Sequence, residues 1–136
     1  MRKIIILMIF SAVVGLTACG KSKNQAAVTG VIAHTHRMTL PVGFITTIWL
    51  EDTTNADKPG KKIAEEVIKN QGEELPMPFA IVYDPGKINP DHTYSIRAEI
   101  EDATGQVLYT NVTSVPVLTQ GNPTRDIKVI VVLPNE

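Results

Sequence analysis

The chain has 136 residues, of which 20% are charged, and its formal net charge at pH 7 is −1. So balanced a composition has no excess of positive charge of the kind that nucleic-acid binders use to neutralise phosphates, and we expect no DNA or RNA partner. Its single cysteine excludes an intramolecular disulfide framework, and the length suits one domain with one core.

The amino terminus has the pattern of an export signal. A basic start, Arg2-Lys3, precedes an apolar run in residues 4–16. That run is shorter than the roughly 20 apolar residues that a membrane-spanning helix needs. A Leu-Thr-Ala-Cys motif then ends at Cys19 and resembles a lipobox. We predict a lipoprotein signal peptide in residues 1–18 and lipidation of Cys19, which anchors the chain without crossing the bilayer. The alternative is that Cys19 is an ordinary small residue that follows a conventional signal peptide or lies inside an uncleaved anchor.

Processing before Cys19 leaves a mildly acidic chain. Residues 19–136 contain 11 Lys and Arg against 14 Asp and Glu, a net charge of −3. Residues 19–25 read as the lipidated cysteine and a flexible polar tether, and residues 26–136 as a β-sandwich domain. By resemblance to enterobacterial lipoprotein sorting, an Asp directly after the lipidated cysteine would favour retention in the inner membrane. Gly20 therefore predicts the periplasmic leaflet of the outer membrane in a Gram-negative host.

Period-two alternation and β-branched residues dominate after Ala26 and predict an all-β domain. The spacing suggests a sandwich or small barrel of about seven mostly antiparallel strands. Candidate strands are 27–40, 44–52, 62–70, 77–84, 93–102, 106–114, 115–119 and 126–133. The stretch 62–70 is ambiguous, because its apolar residues also approach helical spacing.

Residues 94–101 show the alternation most clearly, with Tyr, Ile, Ala and Ile on one face and Ser, Arg and two Glu on the other. Turn residues at 102–105 predict a hairpin to the next strand, and Pro41-Val42-Gly43 predicts another between the first two strands. Tyr94 follows a loop rich in Pro, Gly and Asn, which suggests a tyrosine corner. A ligand-binding role is the alternative for Tyr94.

Residues 44–51 offer a candidate partner surface. Ile48 and Leu50 face one side of this strand, while Ile45 and Trp49 face the other. The face that carries Ile45 and Trp49 is either covered by a loop or helix or exposed to bind a partner segment. Trp residues contribute strongly to the binding energy of such interfaces. Trp49 and Ile45 are the candidate partner-binding residues.

Catalytic and metal-binding patterns are weak. His34 and His36 stand two apart in a predicted strand and share a face, but a structural zinc site needs four ligands and nothing at characteristic spacing supplies the others. Ser95 lies on the predicted solvated face, and no serine sits in a nucleophile elbow. Glu65-Glu66 and Glu73-Glu74 point to opposite faces of strands, so we interpret them as solvated charges. We expect no enzyme activity, no metal and no cofactor.

An ordered series of short motifs resembles the small lipoproteins grouped as YbaY-like and YscW-like. The motifs are VTG at 28–30, LP at 40–41, LPMPF at 75–79, YDP at 83–85, INPDHTY at 88–94, RAEI at 97–100, YTN at 109–111 and PVLT at 116–119. The resemblance implies a β-sandwich fused to a lipid anchor. For the pilot proteins of type III secretion in this group, it implies carrying or stabilising an outer-membrane secretin.

The sequence therefore favours a non-enzymatic, membrane-anchored lipoprotein that binds or escorts another envelope protein. A secretin subunit is the specific partner that the resemblance suggests, and whether the chain is a pilot protein or a housekeeping relative is left open. The competing hypothesis is an envelope lipoprotein of the β-sandwich type that binds a small ligand or glycan in a concave pocket.

Overall fold

The computed structural model describes residues 24–135, so the predicted signal peptide and Cys19 lie outside the described part. The all-β prediction is confirmed, and seven of the ten described strands have four or more residues. The strands are β1 (Ala26–Ala33), β2 (Met38–Thr39), β3 (Ile45–Asp52), β4 (Lys61–Lys69), β5 (Glu74–Leu75), β6 (Met77–Tyr83), β7 (Tyr94–Glu101), β8 (Val107–Thr110), β9 (Val115–Val117) and β10 (Ile127–Ile130). A single 3₁₀ turn at Pro85–Lys87 follows β6.

Two main sheets enclose the core. The three-stranded sheet has the order β10-β1-β6, and the five-stranded sheet has the order β4-β3-β7-β8 with β9 also paired to β7. Pairing is antiparallel throughout these sheets except between β1 and β10, which run parallel. The two-residue strands β2 and β5 pair separately.

The alternation in β3 and β7 decides which side chains enter the core. Ile48 of β3 faces Ala98 of β7 in the register, and all of Ile48, Ala98 and Leu50 are fully buried. Burial of this kind stabilises by about 25 cal/mol per Å² of apolar surface. The fully buried apolar side chains, from the strands and the segments that adjoin them, are Val28, Ile32, Leu40, Ile48, Leu50, Ile81, Ala98, Ile100, Val117, Val129 and Val131.

The free edges of the two sheets are tied to one another. On one side the Ala80 N–H of β6 donates to Glu66 Oε2 of β4 at 2.7 Å. On the other side Thr110 and Val132 exchange two backbone hydrogen bonds, each 2.9 Å long. These contacts occupy backbone groups that an edge strand otherwise leaves open to another chain. Glu66, predicted to be a solvated charge, thus bridges the two sheets.

Several strand-level predictions need correction. No hairpin forms at Pro41–Gly43, because β2 pairs with β5 while β3 pairs with β4 and β7. His34 and His36 lie in a bend beyond β1 and not in a strand. Ser95 is only 5% exposed, because β9 adds Pro116 alongside it.

The ambiguous segment after residue 60 is a strand, and the hairpin predicted after β7 is confirmed. β4 pairs with β3 along its whole length, with one irregularity in the register between Leu50 and Glu51. β7 and β8 pair antiparallel across the turn that Asp102 begins, and the Asp102 carboxylate accepts hydrogen bonds from Thr104 and Gln106. Pairing with β3 therefore overrides the weak helical spacing of this segment.

The strand directions give the molecule two distinct ends. Ala26 at the start of β1 pairs with Tyr83 at the end of β6, and Asp52 at the end of β3 pairs with both Tyr94 and Lys61. We call this the tether end, and its loops are residues 53–60, 84–93 and 118–126. The opposite, distal end holds the short strands β2 and β5 and the turn between β7 and β8.

Candidate functional site

The outer face of the five-stranded sheet carries Trp49 and Ile45, the residues singled out as partner-binding. Both are partly exposed, whereas Ile48 and Leu50 on the opposite face are fully buried. The indole N–H of Trp49 donates to Glu51 Oε2 at 3.0 Å. The Lys62 ammonium lies 4.9 Å from the indole ring centroid, a cation–π distance. The ring is thus fixed in orientation by two neighbouring charged side chains.

Charged residues surround the Trp49 side chain. In the register Trp49 lies between Glu65 of β4 and Arg97 of β7, and both of these are exposed. Lys62 also pairs with Glu65 at 2.6 Å. Val67, 53% exposed, adds an apolar position on the same face. The surface is an aromatic side chain within a mixed-charge frame, and such a surface fits a partner with complementary charges.

The outer face of the three-stranded sheet is different, because it is almost uncharged. Its outward positions include Ala27, Thr29, Val31, Pro78, Ala80 and Val82, with Lys128 at the β10 side. A groove of about 470 Å³ runs between Pro78 and Lys128 over Gly30. A Cβ at Gly30 would meet the Ile127 carbonyl oxygen, so glycine permits the close approach of β10. Sequence reasoning gave this face no role.

Asn111 has a structural role that the sequence did not reveal, although this residue ends the YTN motif. Its side chain, 4% exposed, fills the gap between β8 and β9 along β7. Asn111 Oδ1 accepts from the Ala98 N–H at 2.7 Å, and Nδ2 donates to the Ile96 carbonyl at 3.1 Å. The side-chain amide thus takes the place of a backbone peptide in the sheet.

Tyr94 lies in the core at 2% exposure, and its hydroxyl accepts a hydrogen bond from the Asn89 N–H at 2.9 Å. This is the geometry of a tyrosine corner, in which the ring ties a connecting loop to the core. The same loop is held twice more: Thr119 Oγ1 donates to the His92 carbonyl at 2.6 Å, and His92 Nδ1 lies 2.7 Å from Asp52 Oδ2.

Asp52 is ionised in this arrangement. Burial raises the pKa of its carboxyl, but hydrogen bonds from the Thr54 hydroxyl and N–H, together with His92, outweigh burial and leave the pKa below 3.8. Both carboxylate oxygens are engaged, Oδ1 by Thr54 and Oδ2 by His92. The group therefore holds the β3 end to the loop before β7.

An uncharged cleft of about 420 Å³ opens at the tether end. Its lining residues are Tyr83, Pro85, Ile88, Pro90, Leu118, Thr119, Gln120 and Thr124. Burial raises the pKa of the Tyr83 hydroxyl, which keeps it a neutral hydrogen-bonding group. Leu118 has φ of 69°, and the Thr119 N–H donates to the Val117 carbonyl at 2.8 Å, which makes a strained γ-turn at the rim.

The histidines do not assemble a metal centre. His34 and His36 have ring centroids 5.9 Å apart, and His34 Nδ1 accepts from the His36 N–H at 3.2 Å. Within residues 24–135, no group of three or more His, Cys, Asp or Glu is placed to hold a metal ion. His92 lies at the other end of the molecule, in contact with Asp52.

No helix in the described range is long and apolar enough to cross a membrane. The lipidation candidate Cys19 lies before that range.

Comparison with known proteins identifies the family. Residues 23–129 match the family model described as type III secretion system lipoprotein chaperone (YscW). The chain belongs to the YscW family. Another relative of this YscW-family chain is the uncharacterized lipoprotein YbaY of Escherichia coli K12, with 25% identity over 107 residues. That match covers 79% of this chain and 56% of the longer YbaY protein.

The fold of this chain is also similar to a solved structure of a pilotin. The YscW-family chain is similar to an alternative pilotin from the type II secretion system of Vibrio cholerae, with a TM-score of 0.72 and 30% identity. The similarity covers 80% of this chain and 98% of the pilotin. The resemblance to YscW-like and YbaY-like lipoproteins that the sequence motifs indicated is therefore confirmed.

Proposed function

We propose that this chain is a non-enzymatic, lipid-anchored envelope lipoprotein that binds and escorts another envelope protein, and that the partner is a secretin subunit. The observation that carries the proposal is the pilotin similarity, which spans nearly the whole pilotin chain together with 80% of this one. The YscW family match over residues 23–129 supports a chaperone role independently.

Lipidation of Cys19 supplies the location in this proposal. Two or more acyl chains give stable anchoring, whereas one chain binds only marginally. Gly20 directs the anchored chain to the periplasmic leaflet of the outer membrane. An escort fixed there carries its bound partner to the membrane in which a secretin assembles.

The partner-binding surface in this proposal is the outer face of β3 around Trp49 and Ile45. Trp49 is already oriented by Glu51 and Lys62, so little side-chain freedom is lost on binding. Glu65 and Arg97 on either side provide opposite charges that select a partner segment of complementary pattern. Aromatic anchors in such positions carry much of the binding energy at interfaces.

A crosslinked pull-down of the lipidated protein from outer membranes tests the proposal. We expect to recover a secretin with the lipidated parent sequence and to lose it with Trp49→Ala. Val82→Ser, on the other sheet, is expected to retain it. The Cys19→Ala chain, which has no anchor, is expected to mislocalise the partner. Loss with Val82→Ser alone would move the interface to the three-stranded sheet. Recovery of no envelope protein with any form would contradict the escort role.

The tether-end cleft favours a second candidate function, which is binding of a neutral small ligand or glycan. All eight residues that line it are uncharged, and they combine apolar side chains with hydroxyl and amide groups. That composition is typical of sites for polar but uncharged ligands. Glycan-array binding that Gln120→Ala abolishes would support this function, and an array without any bound glycan would contradict it.

A further inference from the structure

Two further clefts lie at the tether end, and lysines line both of them. One cleft, of about 380 Å³, is lined by Lys61, Lys62, Ile63 and Lys87. The adjacent cleft, of about 300 Å³, is lined by Asp52, Thr54, Asn55, Lys58, Pro59, Lys61 and His92. Lys61 belongs to both, so the two clefts form one continuous basic surface, which we call the lysine cleft.

Three of the four lysines that line the lysine cleft form no ion pair within the described residues. Among the described residues, Lys58, Lys61 and Lys87 have no carboxylate within 4.0 Å, whereas Lys62 pairs with Glu65. Asp52 is the one carboxylate in the described lining, and both its oxygens are already engaged by Thr54 and His92. The cleft therefore presents ammonium groups whose natural counterpart is an anionic oxygen ligand.

The position of the lysine cleft indicates where that anion lies. Lys87 follows Tyr83 by four residues, and Tyr83 pairs with Ala26, the first residue of β1. Six residues lie between Cys19 and Ala26, and the seven Cα–Cα steps from one to the other span at most about 25 Å. Anchoring through Cys19 therefore holds the start of β1 within about 25 Å of the bilayer, so the tether end and its lysine cleft are within reach of the lipid headgroups.

We propose that the lysine cleft binds the phosphate groups of anionic phospholipids and so fixes the orientation of the domain on the bilayer. This inference rests on the proposed anchoring through Cys19. Juxtamembrane lysines gain appreciable affinity from the negative potential of an anionic leaflet, and that gain falls off within a Debye length. The uncharged cleft around Tyr83 then lies near the same surface, and the distal end points away from it.

β4 provides the matched control for this proposal. It begins at Lys61 in the cleft and ends at Lys69 at the distal end, about 26 Å away at the rise of an extended strand. All of Lys58, Lys61, Lys69 and Lys87 are exposed, so each is open to an amine reagent when the bilayer is absent. The distal lysine thus reports reactivity on the same molecule without contact with the headgroups.

Lysine labelling of the lipidated protein tests the inference. The protein is floated with phosphatidylglycerol-containing vesicles, floated with phosphatidylcholine vesicles, or kept in detergent. Each sample is treated with a membrane-impermeant amine reagent, and mass spectrometry measures the labelling rate of each lysine. We expect Lys61 and Lys87 to react about fivefold more slowly on phosphatidylglycerol than in detergent, and Lys69 to react equally in both. In the double variant Lys61→Gln/Lys87→Gln, the labelling rate of Lys58 on vesicles is expected to return to its value in detergent. In the control variant Lys69→Gln, Lys58 is expected to stay protected.

Each other outcome has a defined meaning. Equal slowing on phosphatidylcholine, or equal slowing of Lys69, would overturn recognition of the anionic headgroup. Unchanged rates at Lys61 and Lys87 on floated protein would overturn the orientation while leaving the Cys19 anchor intact. Inorganic phosphate that slows the labelling in detergent would assign the cleft to a soluble anion instead. Protein that does not float would contradict the anchor and, with it, the position of the cleft.

Discussion

Asn111→Ala removes the side chain that stands in for a strand residue beside β7. The variant leaves the Ala98 N–H and the Ile96 carbonyl without their partners, and both residues are at most 1% exposed. A buried polar group without a partner costs about 1–3 kcal/mol. The third bond, to the carbonyl of the exposed Thr113, costs little because water replaces it.

The cleft of about 200 Å³ beside Asn111 admits some solvent to the freed groups and reduces the penalty. We therefore expect Asn111→Ala to lower the free energy of unfolding by about 2–4 kcal/mol. Urea denaturation followed by tryptophan fluorescence measures this loss. Asn55→Ala is the control, since Asn55 is exposed and accepts one bond from the Asp57 N–H; its loss is expected to stay below about 0.5 kcal/mol. Losses of equal size in the two variants would refute the reasoning.

Three further predictions concern the framework of the tether end and the sheet. Tyr94→Phe keeps the buried ring but removes the acceptor of the Asn89 N–H, so urea denaturation is expected to show a loss of about 0.5–1.5 kcal/mol; a neutral result would contradict the corner. Because the pKa of folded Asp52 lies below its ordinary 3.8, its stabilisation is present above that value and is lost as pH falls through the folded pKa. Asp52→Asn should therefore show a shallower acid decline of the unfolding free energy than the parent chain, and parallel pH profiles would exclude this role. Gly30→Ala brings a Cβ against the Ile127 carbonyl, and thermal unfolding should report a loss of about 1–3 kcal/mol or more, whereas an unchanged melting temperature would show that β10 can shift freely.

Local alternation predicted the strands that have one buried face. In β7, Ile96, Ala98 and Ile100 are at most 1% exposed, while Arg97 between them is exposed. The prediction for Ser95 was wrong because its burial depends on β9, which returns to the sheet from a distant part of the chain. A pattern within one strand carries no information about which strand lies beside it.

The features that could not be predicted from the sequence depend on contacts between residues far apart in the chain. The parallel pairing of β1 with β10 joins residues that lie about a hundred positions apart, and the place of Gly30 in it is visible only once both strands are paired. The role of Asn111 was not predicted, because its partners, Ile96 and Ala98, belong to another strand. Lys61 and Lys87 likewise come together only in the fold.

The alternation of side chains along β3 predicted correctly which residues of the proposed partner surface face outward. The separation of Ile48 and Leu50 from Ile45 and Trp49 is confirmed by the register and by burial. The charged frame around Trp49 was not predicted, because Glu65 and Arg97 come from the two neighbouring strands. The role of Trp49 and Ile45 in partner binding remains a proposal.

The most direct test of the escort role is the membrane distribution of the secretin in a host that carries one. Secretin multimers are quantified in separated inner and outer membranes from cells with the intact gene, a deletion, and Cys19→Ala. We predict outer-membrane multimers with the intact gene, and loss or a shift to the inner membrane in the other two strains. Unchanged multimers in the outer membrane of the deletion strain would contradict the account.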